Sequence, residues 1–198
     1  MVAIGCSFAA STPSACAEEP QRVDAARLMN DLMTGRGPIG GAFWLADQRG
    51  NPAGPAQWRG KIVLLYFGYT SCPDACPTEL AAIAAAIDAL GALGSEVQPV
   101  FVTLDPARDK PDLIGRYAQS FHPRFVALWG SESQTREVAT AYKVYFEKVP
   151  LRGTNQYSID HTSFTYVLDA EGNFAGFFPP GTGGARIAER VRTMLSSQ

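Results

Sequence analysis

The run KIVLLYFGY at 61–69 constrains this chain more than any other stretch. Lys61 is its single charge, and the rest is aliphatic, β-branched or aromatic. A strand that is apolar on both sides needs cover on both faces, so it belongs in the middle of a sheet. The loop TSCPDAC follows, then an alanine-rich stretch at 77–93. Pro77 suits a first helical position, Glu79 follows early and Gly91 marks the far end, so this stretch reads as a helix. A buried strand, a tight loop and a helix in succession predict a crossover to a second, parallel strand.

The remaining signals alternate in the same way. VQPVFVTLD (97–105) and RFVALWG (124–130) read as strands; PDLIGRYAQSF (111–121) and SQTREVATAYKV (133–144) read as helices. TSFTYVLDAEGNFAGFF (162–178) predicts two strands joined across Asp169–Asn173, and GARIAERVRTMLSS (184–197) a closing amphipathic helix. Ahead of the central strand, AFWLADQRGNPAG (42–54) reads as a strand and a turn around Arg49-Gly50-Asn51. The expected fold is α/β: a central mixed sheet flanked by helices, with an N-terminal β-hairpin extension. A cysteine pair between the first central strand and its helix resembles the thioredoxin arrangement. Residues 23–33 carry a short helical pattern, followed by a Gly/Pro break, TGRGPIGG. This divides the chain into an N-terminal segment and linker, 1–38, and one domain, 39–198.

Cys72 and Cys76 carry the chemistry. Pro73 and Pro77 each bias the preceding cysteine away from the helical region, which predicts a tight loop with Cys76 at or near the helix N-cap. Free N–H groups at a helix start favour negative charge and lower a thiol pKa from about 8.5. Thiolates serve thiol exchange and metal binding alike. Three intervening residues let both sulfurs face one ion. His161 falls just before the strand of the terminal hairpin, and by fold analogy that loop lies against the cysteine turn. Asp160 beside it is a candidate to orient the ring, and Asp74 is a partner-facing or solvated charge. Two thiolates and an imidazole suit copper, and three ligands leave the ion approachable; a closed zinc site takes four. His122 reads as an exposed loop residue. On spacing alone, copper binding, thiol redox chemistry and an inert structural pair all stay open. A thiol peroxidase ranks last: Thr70 lies two residues before Cys72, but the loop lacks an upstream proline.

Seventeen basic against nineteen acidic residues, without a basic cluster, argue against nucleic acid as a partner. The first twenty residues are small and weakly apolar, uncharged before Glu18. Ala15-Cys16-Ala17 resembles a signal-peptidase site and VAIGC, ending at Cys6, a loose lipobox, while the stretch is too short and polar to span a bilayer. Export is the expectation, with a disordered tail as the alternative; on export Cys6 and Cys16 are lost by cleavage or used for lipid attachment. No heptad or apolar stripe is visible, so a monomer is expected.

Together these residues resemble the Sco/SenC family of copper chaperones, over about Ile39 to the last helix. The resemblance lies in IGGAFWLADQRGNPAG, RGKIVLLYFGYTSCPDACPTEL, the Asp-Pro-x-Arg-Asp element of FVTLDPARDKPDLIGRY and the Asp-His of IDHTSFTYVLDAEG. It implies copper, as Cu(I) or Cu(II), on Cys72, Cys76 and His161, with Cys72 and Cys76 able to form a disulfide when metal-free. Asp105, Arg108 and Asp109 match the family element and are assigned a structural role. The function implied is delivery of copper to the CuA centre of cytochrome c oxidase. The acceptor would be apo subunit II or another cuproprotein, with another copper protein as donor. A carrier rather than an enzyme is expected, with reduction of the acceptor's cysteines as the alternative. The expected location is the periplasmic side of the inner membrane, tethered by lipid or an N-terminal anchor. Ala42 stands where many members have proline.

Overall fold

The computed structural model describes residues 38–197, with Met1, Asn30, Asp31 and Gly35. The segment carrying Cys6 and Cys16, and most of the helix expected over 23–33, lie outside the described residues. Nine strands and four α-helices follow in the described part. Strands β1 (Leu45–Asp47) and β2 (Pro52–Ala53) form the opening hairpin. Then come β3 (Ile62–Gly68), α1 (Ala75–Leu90), β4 (Val97–Thr103), α2 (Pro111–Phe121), β5 (Val126–Trp129) and α3 (Glu132–Ala141). A second hairpin, β6 (Phe146–Pro150) and β7 (Tyr157–His161), precedes β8 (Thr165–Leu168), β9 (Phe174–Phe178) and α4 (Gly184–Leu195).

Seven strands form one mixed sheet in the order β2-β1-β5-β4-β3-β8-β9. β3, β4 and β5 run parallel, while β8 and β1 pair antiparallel on either side of them. This is the thioredoxin-like arrangement expected. All seven residues of β3 are buried, and alternate side chains enter two different cores. Ile62, Leu64 and Tyr66 meet Leu80, Ile83 and Ile87 of α1, Ile114 of α2, and Ile187 and Val191 of α4. Val63, Leu65 and Phe67 meet Val138 and Ala139 of α3, with Phe43, Trp58 and Tyr142. At about 1.5–3 kcal/mol per fully buried large apolar side chain, β3 is the strand the fold depends on most.

The alanines of α1 now have a reason. A Cβ on Gly184 would lie 2.7 Å from the Ala82 carbonyl oxygen and 2.8 Å from the Ala85 Cβ, so α4 rests on the alanine face almost backbone to backbone. With its 3-10 extension, Ala75–Glu96, this helix is long and apolar enough to cross a membrane by composition. Its apolar residues instead face the sheet and α4.

Both hairpins of the main sheet turn on the same sequence, Asp-x-x-Gly-Asn. Asp47 Oδ1 accepts from the N–H groups of Arg49 and Asn51, each at 2.8 Å. Asp169 Oδ1 does the same for Glu171 at 3.1 Å and Asn173 at 2.8 Å. Gly50 and Gly172 supply the left-handed residue, at φ 85° and 86°.

Two features differ from the sequence expectation. The β6–β7 hairpin was not foreseen: β6 is exposed except for Phe146, and the alternation in β7 is confined to Tyr157, Ile159 and His161, too short a pattern to mark a strand. Helix α1 begins at Ala75, so Pro77 is its third residue and not its first, and Cys76 is helical despite the proline that follows. Any position in the first turn tolerates a proline, because N–H groups there have no intrahelical acceptor.

Candidate metal centre

The cysteine loop leaves the carboxyl end of β3 and enters α1. Cys72 Sγ lies where the first turn of α1 directs its free amides, accepting from the Cys76 N–H at 3.4 Å. Cys76 is fully buried and Cys72 half-buried, both as free thiols. A hydrogen bond from the Cys76 thiol draws the Cys72 pKa down to about 3, against the opposing effect of burial; the amides of Asp74 and Cys76 reinforce the drop. The same pairing, with desolvation, pushes Cys76 up. The pair therefore shares one proton, held by Cys76, while Cys72 is the thiolate. The low-pKa thiol is the one preceding the helix, not the one expected at its cap.

His161 arrives on the last residue of β7. Its Nδ1 lies 3.0 Å from the Thr162 carbonyl oxygen. A carbonyl can only accept, so Nδ1 carries a proton and Nε2 is left to face the sulfurs. Nε2 sits 3.5 Å from Cys76 Sγ. The ring stands edge-on between Tyr66 and Tyr69, at centroid distances of 6.3 and 5.9 Å. The backbone carbonyl of Thr162 therefore orients the imidazole; Asp160, the candidate for that task, is exposed and registers opposite Glu147. Asp74 is also exposed, on the rim of the open cleft formed with Cys72, Ala75, Ile159, Asp160, His161 and Ser163.

The two sulfurs and the imidazole nitrogen all lie within 4.8 Å of one another. Bonds of about 2.3 Å to sulfur and 2.0 Å to nitrogen, at trigonal or tetrahedral angles, place donors about 3.5–4 Å apart. The trio fits one ion with sub-ångström adjustment. His122 is not part of it: at the end of α2, its Nε2 lies 3.6 Å from Asp88 Oδ1, and its side chain is largely buried.

The Asp-Pro-x-Arg-Asp element holds both halves of this cluster. Asp109, buried, accepts from the Thr70 N–H at 3.0 Å, the Thr70 hydroxyl at 2.5 Å and the Thr103 hydroxyl at 2.7 Å. It thus ties the start of the cysteine loop to the end of β4. Thr70 is turned toward that carboxylate, away from a peroxidatic role. Asp105, also buried, pairs with the Arg108 guanidinium and accepts from the Tyr157 hydroxyl at 2.8 Å. Arg108 Nη1 donates to the Tyr157 carbonyl at 2.8 Å, and its guanidinium lies 3.8 Å over the Tyr157 ring. The element therefore reaches the hairpin that carries His161.

Gly68 is a site residue that the sequence reading passed over. A Cβ there would lie 2.7 Å from Cys76 Sγ, 3.0 Å from the Tyr66 ring and 3.2 Å from Phe101. A glycine within a strand pattern signals close approach of another group, and that was the available clue.

A thioredoxin-like domain that converges two thiols and an imidazole on one open point defines a class: a mononuclear site for a soft or borderline metal, reachable by a partner. The SCO1/SenC family model matches residues 32–196. An SCO2-like protein of Rickettsia prowazekii is 42% identical over 141 residues, covering 71% of this chain and 69% of the relative. Solved structures share the fold, two with copper bound among them. Bradyrhizobium japonicum ScoI with copper bound is 36% identical, with TM-score 0.73, over 79% of this chain and 99% of that one. Arabidopsis thaliana ScoI with copper bound is 34% identical, with TM-score 0.75, over 81% and 99%. The chain belongs to the SCO1/SenC family.

Proposed function

We propose that this protein is a copper carrier in cytochrome c oxidase assembly, holding one ion on Cys72 Sγ, Cys76 Sγ and His161 Nε2. One observation carries this reading: three donor atoms from segments 85 residues apart meet, with Cys76 Sγ and His161 Nε2 at 3.5 Å. Two sulfurs suit Cu(I), and the imidazole extends the set to Cu(II). Loading requires Cys76 to lose its proton, so uptake releases acid. The half-buried Cys72 and the open cleft give an acceptor's ligands a route to the ion, and transfer proceeds by ligand exchange. Family membership and the copper held by its relatives support the cargo. The finer destination is the CuA centre of subunit II, reached from the periplasmic face of the inner membrane.

A second reading rests on the unequal thiols. The Cys72 thiolate attacks an acceptor disulfide, and Cys76 then displaces it from the mixed disulfide. Two electrons pass to the acceptor, and an external dithiol must restore the pair.

His161→Ala separates the two. The carrier reading expects reduced protein to lose Cu(II) and its thiolate-to-copper absorption, with disulfide reduction unchanged. Full Cu(II) loading of this variant would overturn the three-ligand site.

A further inference from the structure

The β6–β7 hairpin is hydrogen-bonded to neither edge of the seven-stranded sheet. Its inward face on β7 consists of Tyr157, Ile159 and His161, which share one side by the two-residue period of a strand. Ile159 is buried at the centre of that face. His161 ends the strand at the metal centre. Tyr157 begins it, about 13 Å away at 3.3 Å per residue, and there the hairpin is fastened: the ring lies under Arg108, its carbonyl accepts from Arg108, and its hydroxyl donates to buried Asp105. Elsewhere the hairpin holds to the body by Ile159 in the core with Phe146 packed against it, by the exposed Lys148–Glu132 pair at 3.1 Å and by Arg136 over Phe146 at 5.1 Å. Exposed pairs of that kind contribute little.

From this geometry we infer that Tyr157 and Arg108 are positioning residues for the imidazole. They form a latch that sets how well the protein holds Cu(II) relative to Cu(I). The two arms of the site have different principal moorings, which meet at the Thr103 hydroxyl, bonded to both Asp109 and the Asp105 N–H, and at Tyr69, 5.8 Å from Arg108. Asp109 fixes the cysteine loop through Thr70 and Thr103, whereas Asp105 and Arg108 fix the imidazole arm through Tyr157. Loosening the second leaves the first intact. The two thiolates then still hold Cu(I), while Cu(II), which draws on the nitrogen, is lost. The latch also gives an acceptor a place to act: a surface that displaces Tyr157 releases one ligand of three without unfolding the domain. This inference rests on the carrier reading above.

The test compares Tyr157→Phe, Arg108→Lys and His161→Ala by competition of Cu(I) and Cu(II) against chelators, on reduced protein with circular dichroism confirming the fold. Tyr157→Phe keeps the ring under Arg108 and loses only the bond to Asp105, so it is the mild variant. Partners of metal ligands typically contribute 10–100-fold in affinity. The expected losses in Cu(II) affinity are about tenfold for Tyr157→Phe and up to about 100-fold for Arg108→Lys, with Cu(I) changed less than about threefold. In metal-free protein, amide exchange should quicken across 146–161 and stay unchanged in β3. If His161→Ala keeps its Cu(II), the carrier site itself falls. If His161→Ala loses Cu(II) while both latch variants retain it, the latch alone is overturned. Equal losses of Cu(I) and Cu(II), or unchanged exchange in the hairpin, overturn it as well.

Discussion

Gly68→Ala adds one methyl group at the point where β3 passes beneath Cys76. The new Cβ would lie 2.7 Å from Sγ, nearly 1 Å inside an ordinary carbon–sulfur contact, with Tyr66 and Phe101 closing the other sides at 3.0 and 3.2 Å. The sulfur ends a short side chain and must be the group that gives. Overpacking of this kind costs about 1–3 kcal/mol. The loss of chain entropy that alanine spares the unfolded state offsets about 0.4–1 kcal/mol of that. At about 2–4 °C per kcal/mol, the melting temperature drops by less than about 10 °C, so the variant folds. A sulfur pushed aside by most of an ångström and blocked by the new methyl group can no longer make the sub-ångström adjustment that closes the three donors on one ion. Copper affinity, read by chelator competition, should fall at least about tenfold for both Cu(I) and Cu(II), a loss on the scale of removing a ligand's support. A double-mutant cycle with Cys76→Ser, whose oxygen is smaller, should return part of the stability cost. Wild-type copper affinity in Gly68→Ala would refute the reasoning, as would additive stabilities in the cycle.

The cysteine pair, the carboxylate that anchors its loop and a buried glutamate each respond to perturbation in their own way. Cys72, drawn down to about 3, stays a thiolate through mildly acid solution; its alkylation by iodoacetamide in metal-free protein should hardly change between pH 8 and 5, and Cys76 should lag behind at both. A tenfold decline per pH unit at Cys72 would contradict the shared proton. Asp109→Ala leaves the Thr70 and Thr103 donors without their carboxylate, so stability should fall by about 2–5 kcal/mol in a urea titration. Both copper states should weaken together, in contrast to the latch variants. Glu79 is buried, with one oxygen bonded to the Gly181 N–H at 2.7 Å and the other without a partner among the described residues, and burial raises its pKa. Folding therefore favours its protonated form, and that penalty is absent at low pH and grows as pH rises through its ordinary value. Glu79→Gln should accordingly raise the melting temperature more at pH 8 than at pH 4; the reverse order would exclude the assignment.

The elements that read clearly in the sequence are those whose cover is uniform. β3 is enclosed on both faces, so its apolar run is unbroken. The amphipathic pattern of α4 matches the face that buries Ile187, Ala188 and Val191. The two Asp-x-x-Gly-Asn turns carry their own side-chain caps and need no distant partner. The β6–β7 ribbon is the contrary case. It buries little beyond Ile159, and its place comes from a guanidinium on another segment, so its own residues show no more than the short alternation of Tyr157, Ile159 and His161. The cysteine loop lay between these extremes: thiolate chemistry was legible from prolines and a helix start, but which sulfur keeps the proton was not.

Local order was therefore written in the chain itself: strand, loop and helix around Cys72 and Cys76, and the residue types able to bind a soft ion. Only the folded molecule decided that His161 Nε2 comes to 3.5 Å from Cys76 Sγ, that Thr162 sets its tautomer, and that Arg108 fastens the strand bearing it. The physical reason is range. Propensity and periodicity act over a few neighbouring residues, whereas a binding point needs atoms from distant segments placed to within an ångström, and packing alone supplies that.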